Sequence, residues 1–128
     1  NSVTCLECGE TLVSFHTHDY KTCSCNNETS VDGGLSYGRY GGKDLDKVKT
    51  NYIYDDDDKI EVIREVFYRG GRGIDGREEL KYVKLSEVND EWLGAIIDYE
   101  EEYRPNNKYL PIYYKELNYR NDNKISVP

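Results

Sequence analysis

The chain has no methionine, three prolines, two phenylalanines and one tryptophan in 128 residues. It has no apolar run approaching the roughly 20 residues that span a bilayer, which excludes a transmembrane helix. No basic stretch followed by an apolar segment opens it, so a secretory signal is not expected and the working compartment is cytosolic. The missing methionine predicts that an initiator was removed or replaced. Positive charge is also scarce. Lys and Arg total 17 against 25 Asp and Glu, for a net charge of −8. Such a surface repels duplex DNA and anionic membranes, so any anionic ligand needs a local Arg or Lys cluster. Catalytic signatures are missing too: there is no nucleophile elbow, no Walker loop, and no Cys–His pair outside one cysteine-bearing segment. A nuclease or phosphodiesterase reading lacks an evident metal–carboxylate or histidine site. These absences point to a binding protein rather than an enzyme.

What the chain does have is tyrosine, thirteen copies of it. Tyr combines an apolar body with a polar tip and suits half-buried faces and contact surfaces. The length fits one modest core, and a subunit interface would supply further burial. The expected architecture is α+β. Residues 1–45 read as a β-rich cysteine module, and residues 46–128 as a β-hairpin and two C-terminal helices in one continuous domain. Strands are expected at Thr11–Phe15, at Tyr52–Tyr54, at Lys59–Tyr68 with both faces covered, and at Leu80–Leu85, the last returning beside its predecessor. Ser86 or Asn89 caps the first helix, whose apolar face is read as Val88, Trp92, Ala95, Ile96, Tyr99 and Tyr103. Pro105 ends it. The second helix starts around Lys108–Pro111 and carries Leu110, Tyr113, Tyr114, Leu117 and Arg120 at helical spacing.

Cys5, Cys8, Cys23 and Cys25 form a C-x-x-C and a C-x-C pair. Two close thiol pairs can surround one tetrahedral structural zinc in a ribbon-like module. The alternatives are four reduced thiols, or two disulfides, which a cytosolic setting disfavours. His16, His18 and Asp19 lie between the pairs. With four thiols available, they are expected to hydrogen-bond locally, Asp19 orienting a ring. The run Asp55–Asp58 reads as a solvated loop, and Glu100–Glu102 as exposed. Gly70-Gly71-Arg72-Gly73 either presents backbone N–H groups and arginines to an anion or turns a hairpin. Arg39, Arg69, Arg72, Arg104 and Arg120 stand near turns or helix ends, where bidentate phosphate contacts are possible. Trp92 is either a core anchor or a stacking platform in a helix's first turn, which favours anions.

The order Cys5/Cys8, His18-Asp19-Tyr20, Cys23/Cys25 and Val31-Asp32-Gly33-Gly34 through Arg39 resembles a group of phage proteins. Arg72-Gly73, Asp75-Gly76, Leu80 to Glu87 and Glu116 to Arg120 extend the likeness over nearly the whole chain. Within that group the chain is most similar to the first family of Thoeris anti-defence proteins. The resemblance implies a sponge that binds glycocyclic ADP-ribose without cleaving it, acting in the host bacterial cytoplasm. It implies a homodimer or hexamer with the ligand at a subunit interface, and separate sites for cyclic trinucleotides. It places ligand contacts at Arg39, Trp92 and Arg120, with Arg104 and Asn106 as further polar candidates and Arg69 and Arg72 as additional cations. The alternative from composition is an acidic zinc-ribbon inhibitor of another protein, of the anti-CRISPR or DNA-mimic type. That reading predicts clustered carboxylates on one face and no pocket at Trp92.

Overall fold

The computed structural model describes every residue except Ile74. The fold is α+β, with strands first and helices last. It divides into two compact units, residues 1–58 with 66–68, and residues 59–65 with 69–128.

The first unit holds six short strands: β1 (Ser2–Cys5), β2 (Thr11–Val13), β3 (Lys21–Thr22), β4 (Ser30–Asp32), β5 (Arg39–Gly41) and β6 (Val48–Tyr52). They make two antiparallel sheets, β2-β1-β6 and β3-β4-β5. Alternation along β1 sends Val3 and Cys5 inward, where they meet Leu12, Cys23 and Val31. Cys25, Val48 and Ile53 close this core from its edge. A buried Val such as Val3 is worth about 1.5–3 kcal/mol, so the core is small and leans on its cysteines. Because β6 pairs with β1, Val48 opposite Cys5, the β module reaches past residue 45.

After β4 the chain turns back at Gly33 and Gly34, whose φ angles are +104° and +54°. A Cβ on Gly33 would lie 1.9 Å from the Tyr37 carbonyl oxygen, and one on Gly34 would lie 2.7 Å from the His16 backbone. Only glycine permits both the left-handed turn and the close approach. The Asn1 side chain pins the same turn, donating to the carbonyls of Asp32 and Tyr37.

The second unit carries most of α1 (Ile60–Val66) and β7 (Tyr68–Gly71), then β8 (Lys81–Lys84), α2 (Asp90–Tyr103) and α3 (Leu110–Asn123). The helix α1 corrects the strand expected over Lys59–Tyr68. Its β-branched residues suggested extended chain, but the half-buried Ile60 and Ile63 are three apart while Glu61, Val62 and Glu65 face solvent. That is helical periodicity, and packing overrides the modest β preference. Strand β8 does return beside a partner, but that partner is β7, which starts at the end of the expected strand and takes in Gly70 and Gly71, read from sequence as turn.

Asn89 caps α2 by accepting the Trp92 backbone N–H at 2.7 Å. The buried face of α2 is Leu93, Ile96, Ile97 and Glu100. Of the expected face, Ile96 and the preceding Val88 are buried, Trp92 is half-buried, and Ala95, Tyr99 and Tyr103 are exposed. Tyr99 and Tyr103 are exposed, with ring centroids 4.9 Å apart. Pro111 stands in the first turn of α3, which buries Leu110, Tyr113, Glu116 and Arg120. Tyr114 and Leu117, read as part of that face, point outward. No described helix is long and apolar enough to cross a membrane.

Candidate functional site

The four cysteines converge. Their sulfur atoms all lie within 4.8 Å of one another. Cys25 Sγ is 3.5 Å from that of Cys5 and 3.4 Å from that of Cys23. A zinc with Zn–S bonds of about 2.3 Å requires tetrahedral sulfur edges of about 3.8 Å, so the cluster needs only small adjustments to hold one. All four thiols are free. Turns after each pair set the spacing: Gly9 N–H donates to the Cys5 carbonyl at 2.7 Å, and Glu28 N–H to that of Cys25 at 3.1 Å. The thiols differ in acidity. A hydrogen bond from Thr29, aided by backbone N–H groups, lowers Cys5 to about 6. The Asn27 backbone pulls Cys25 down, but burial and the neighbouring thiols outweigh it and push that group up to about 12. His16 and His18 stay outside this cluster. His16 bonds locally, as expected, Nδ1 to the Thr17 carbonyl at 2.9 Å, and Asp19 takes the Phe15 N–H at 2.8 Å, whereas His18 reaches across to the Tyr37 hydroxyl at 3.1 Å.

The helical unit contains a buried ionic lattice that the sequence concealed. Glu100 and Glu116 are fully buried. Glu116 takes a bidentate grip from Arg64 at 3.0–3.2 Å and a third bond from Arg120 at 2.9 Å. Arg120 also donates to Asp90 Oδ1 and to the Leu85 carbonyl, each at 2.8 Å. Arg69 donates to Glu100 at 3.0 Å and to the Tyr113 hydroxyl at 3.2 Å, and Asn107 closes the set on Glu100 at 2.9 Å. Burial works against the charged form of Glu100, but its bonds to Asn107 and Arg69 hold its carboxyl below the usual range. The expectation that Glu100 is exposed is thus corrected; Glu101 and Glu102 are exposed. The signal in sequence was the i, i+4 spacing of Glu116 and Arg120 on the Leu110–Tyr113 face.

This lattice decides which arginines are free. Arg120 is 2% exposed and its donors are committed to protein acceptors, so it is a strut between α3, the start of α2 and Leu85 rather than an open phosphate contact. Arg69 is likewise committed. Arg72 is exposed and has no side-chain ion pair among the described residues. Arg104 caps the C-terminal end of α2, its guanidinium 5.9 Å from the Tyr99 ring, and Asn106 is exposed beyond it. Arg39 belongs to the other unit, where it is 74% exposed and 4.0 Å from Asp32.

At the start of α2 lies an open cleft of about 430 Å³, lined by Gly73, Asn89, Glu91, Trp92 and Ala95. Trp92 is half-buried because Gly71 backs it: a Cβ there would lie 2.8 Å from the indole ring. The Gly70–Gly73 segment therefore both turns toward the hairpin loop and supports the indole. Asn89 spends its side-chain oxygen on the Trp92 N–H. Among the described residues lining it, Glu91 carries the one charged side chain. An indole flanked by a carboxylate suits a flat ring bearing an amino group better than a bare phosphate.

Residues 1–42 match the model of a family described only as a domain of unknown function (DUF7695). The matched segment holds both cysteine pairs, His18, the Val31–Gly34 turn and Arg39, and it stops before β6. It leaves out the whole helical unit and the Trp92 cleft. No curated protein and no solved structure matches the chain.

Proposed function

We propose that this protein captures a small nucleotide of the cyclic ADP-ribose type and holds it without cleavage. The observation that carries this reading is the cleft at Trp92, where a glycine-backed indole stands half-exposed at the capped start of a helix. The indole stacks on adenine, and Glu91 accepts from the exocyclic amine. Arg72, exposed and next to the cleft's Gly73, is a cation placed in sequence to meet the phosphates. Arg120 serves indirectly, holding Asp90 and with it the first turn of α2. Together with the family likeness, this makes glycocyclic ADP-ribose the ligand to test first, with a homodimer or higher oligomer as the assembly and phage anti-defence as the role. The cysteine cluster binds one structural zinc, which would tie the β1–β2 turn to the β3–β4 turn. A protein-binding inhibitor is the second reading. It is weakened by a recessed cleft at Trp92, which that reading does not require.

The deciding experiment mixes purified protein with glycocyclic ADP-ribose, measures depletion of free ligand by chromatography, then heats the complex and analyses what is released. Capture followed by recovery of the intact ligand is the expected result. No depletion, or a modified product, would overturn the proposal. Trp92→Ala is expected to weaken capture by about 1–3 kcal/mol, the contribution of one base–aromatic stack, with the circular dichroism spectrum unchanged.

A further inference from the structure

The segment between the cysteine pairs and the turn after β4 meet at a second group of polar side chains, wholly within the first unit. Asp32 is 6% exposed. Its Oδ2 accepts the Tyr37 hydroxyl at 3.1 Å, and its Oδ1 has no partner. Tyr37 Oη also lies 3.1 Å from His18 Nδ1. The hydroxyl has a single hydrogen. If it goes to Asp32, the hydrogen of the second contact belongs to His18, whose Nδ1–H donates to Tyr37 Oη. The tautomer of His18 is thereby fixed, and Nε2 is left as the working atom of an exposed ring. On the antiparallel partner strand, Arg39 stands opposite Asp32. Its guanidinium reaches only to 4.0 Å from that carboxylate and stays 74% exposed, so its donors remain available.

The backbone adds a second, independent observation. His18 has φ +63°, a left-handed conformation unfavourable for a residue with a Cβ. Local contacts enforce it: Asp19 N–H closes a turn onto the His16 carbonyl at 3.1 Å, and Asp19 carries the Phe15 N–H. A left-handed histidine, oriented through a tyrosine by a buried carboxylate that also faces a loosely held arginine, is more ordering than a solvated loop requires.

We infer that His18 and Arg39, oriented by Tyr37 and Asp32, form a second ligand site that takes a phosphate monoester or free phosphate. Arg39 donates to two anionic oxygens of the group in its fork geometry. His18 Nε2 accepts from the protonated oxygen that a monoester retains and a diester lacks. Asp32 lies beneath Tyr37 and reduces the pull of Arg39 on the anion, so the site is selective for a group that also satisfies His18 rather than tight for any anion. The role of Asp32 is orientation. The site is distinct from the Trp92 cleft and does not depend on it.

The test uses the intact, isotope-labelled protein and reads the His18 and His16 ring nitrogens and the Arg39 side-chain N–H by NMR. Inorganic phosphate, adenosine monophosphate and a dialkyl phosphate diester are titrated separately against chloride at equal ionic strength. Expected is a saturable response of His18 and Arg39 to the first two, with His16 silent. Arg39→Ala, a change at an exposed side chain, should weaken it roughly tenfold or more, the loss of one charge-assisted pair. Tyr37→Phe should abolish the His18 response while leaving that of Arg39. A linear response shared with His16 would mean an adventitious ion only and overturn the proposal. So would equal binding of the diester, or a response to ammonium in place of phosphate. Trp92 fluorescence stays unchanged in the phosphate titration, so failure here is separable from failure of nucleotide capture.

Discussion

Glu116 accepts bonds from two arginines on its two oxygens while fully buried. Removing that carboxylate leaves the buried Arg120 with Asp90 alone and Arg64 with only the exposed Glu65. Glu116→Ala is therefore expected to cost about 3–5 kcal/mol, the usual result of breaking a buried ion pair from one side, and denaturant unfolding measures it. A triple change of Arg64, Glu116 and Arg120 to apolar residues of similar volume should cost far less, because the one carboxylate then left unpaired, Asp90, is half-exposed to water. Gly34 shows the same logic in the backbone. Gly34→Ala places a Cβ 2.7 Å from the His16 backbone at φ +54°. The backbone strain alone is about 1–3 kcal/mol, and a lowered melting temperature should report it. An alanine at Gly76, which meets nothing within 4 Å, incurs only the strain of its positive φ and should be milder.

Between elements, pH is the lever. Asp90 joins α2 to Arg120 of α3, and that bond, then the Val127 N–H, holds its carboxyl below the ordinary range. Glu100 is held low as well, by Asn107 and Arg69 against the effect of burial. A carboxyl whose folded pKa is depressed contributes stability that is complete above its unfolded value and is lost as pH falls through the folded one. The unfolded values lie near pH 4. The helical unit should thus keep its stability down to about pH 5 and lose it progressively below about pH 4. Hydrogen exchange of α2 and α3 amides against pH reads this directly. In Glu100→Gln the acid limb should be shallower, on a lower plateau. A plateau that rose below pH 4 would contradict the assignment.

For the molecule as a whole, two measurements bear on assembly and metal. Thirteen tyrosines and an exposed Tyr99–Tyr103 pair are more contact-prone surface than a lone small domain needs. Native mass spectrometry is expected to show a dimer or larger assembly carrying one zinc per chain. Chelation should release that zinc and lower the melting temperature of the β module, since site formation and folding are coupled. Cys5→Ser should reproduce the loss. A metal-free chain with an unchanged melting temperature would leave the cysteines as core packing alone.

The sequence by itself determined the α+β order, a cap at Ser86 or Asn89, the proline in the first turn of α3 and the two close cysteine pairs, because each rests on local chemistry or short spacing. It also put Trp92 in the first turn of a helix, and only the folded chain set Gly71 behind it. Only the tertiary structure decided which face of α2 is buried, since Leu93–Ile97 and Trp92–Tyr103 are both plausible stripes and packing chooses between them. It turned residues 60–66 into a helix. It also separated the free arginines from the committed ones. Arg120 and Arg72 look alike in sequence; the difference is that Glu116, Asp90 and the Leu85 carbonyl converge on the first, while the second meets no carboxylate. Long-range pairing of charge has no period and no local signature, so only the folded chain could reveal it.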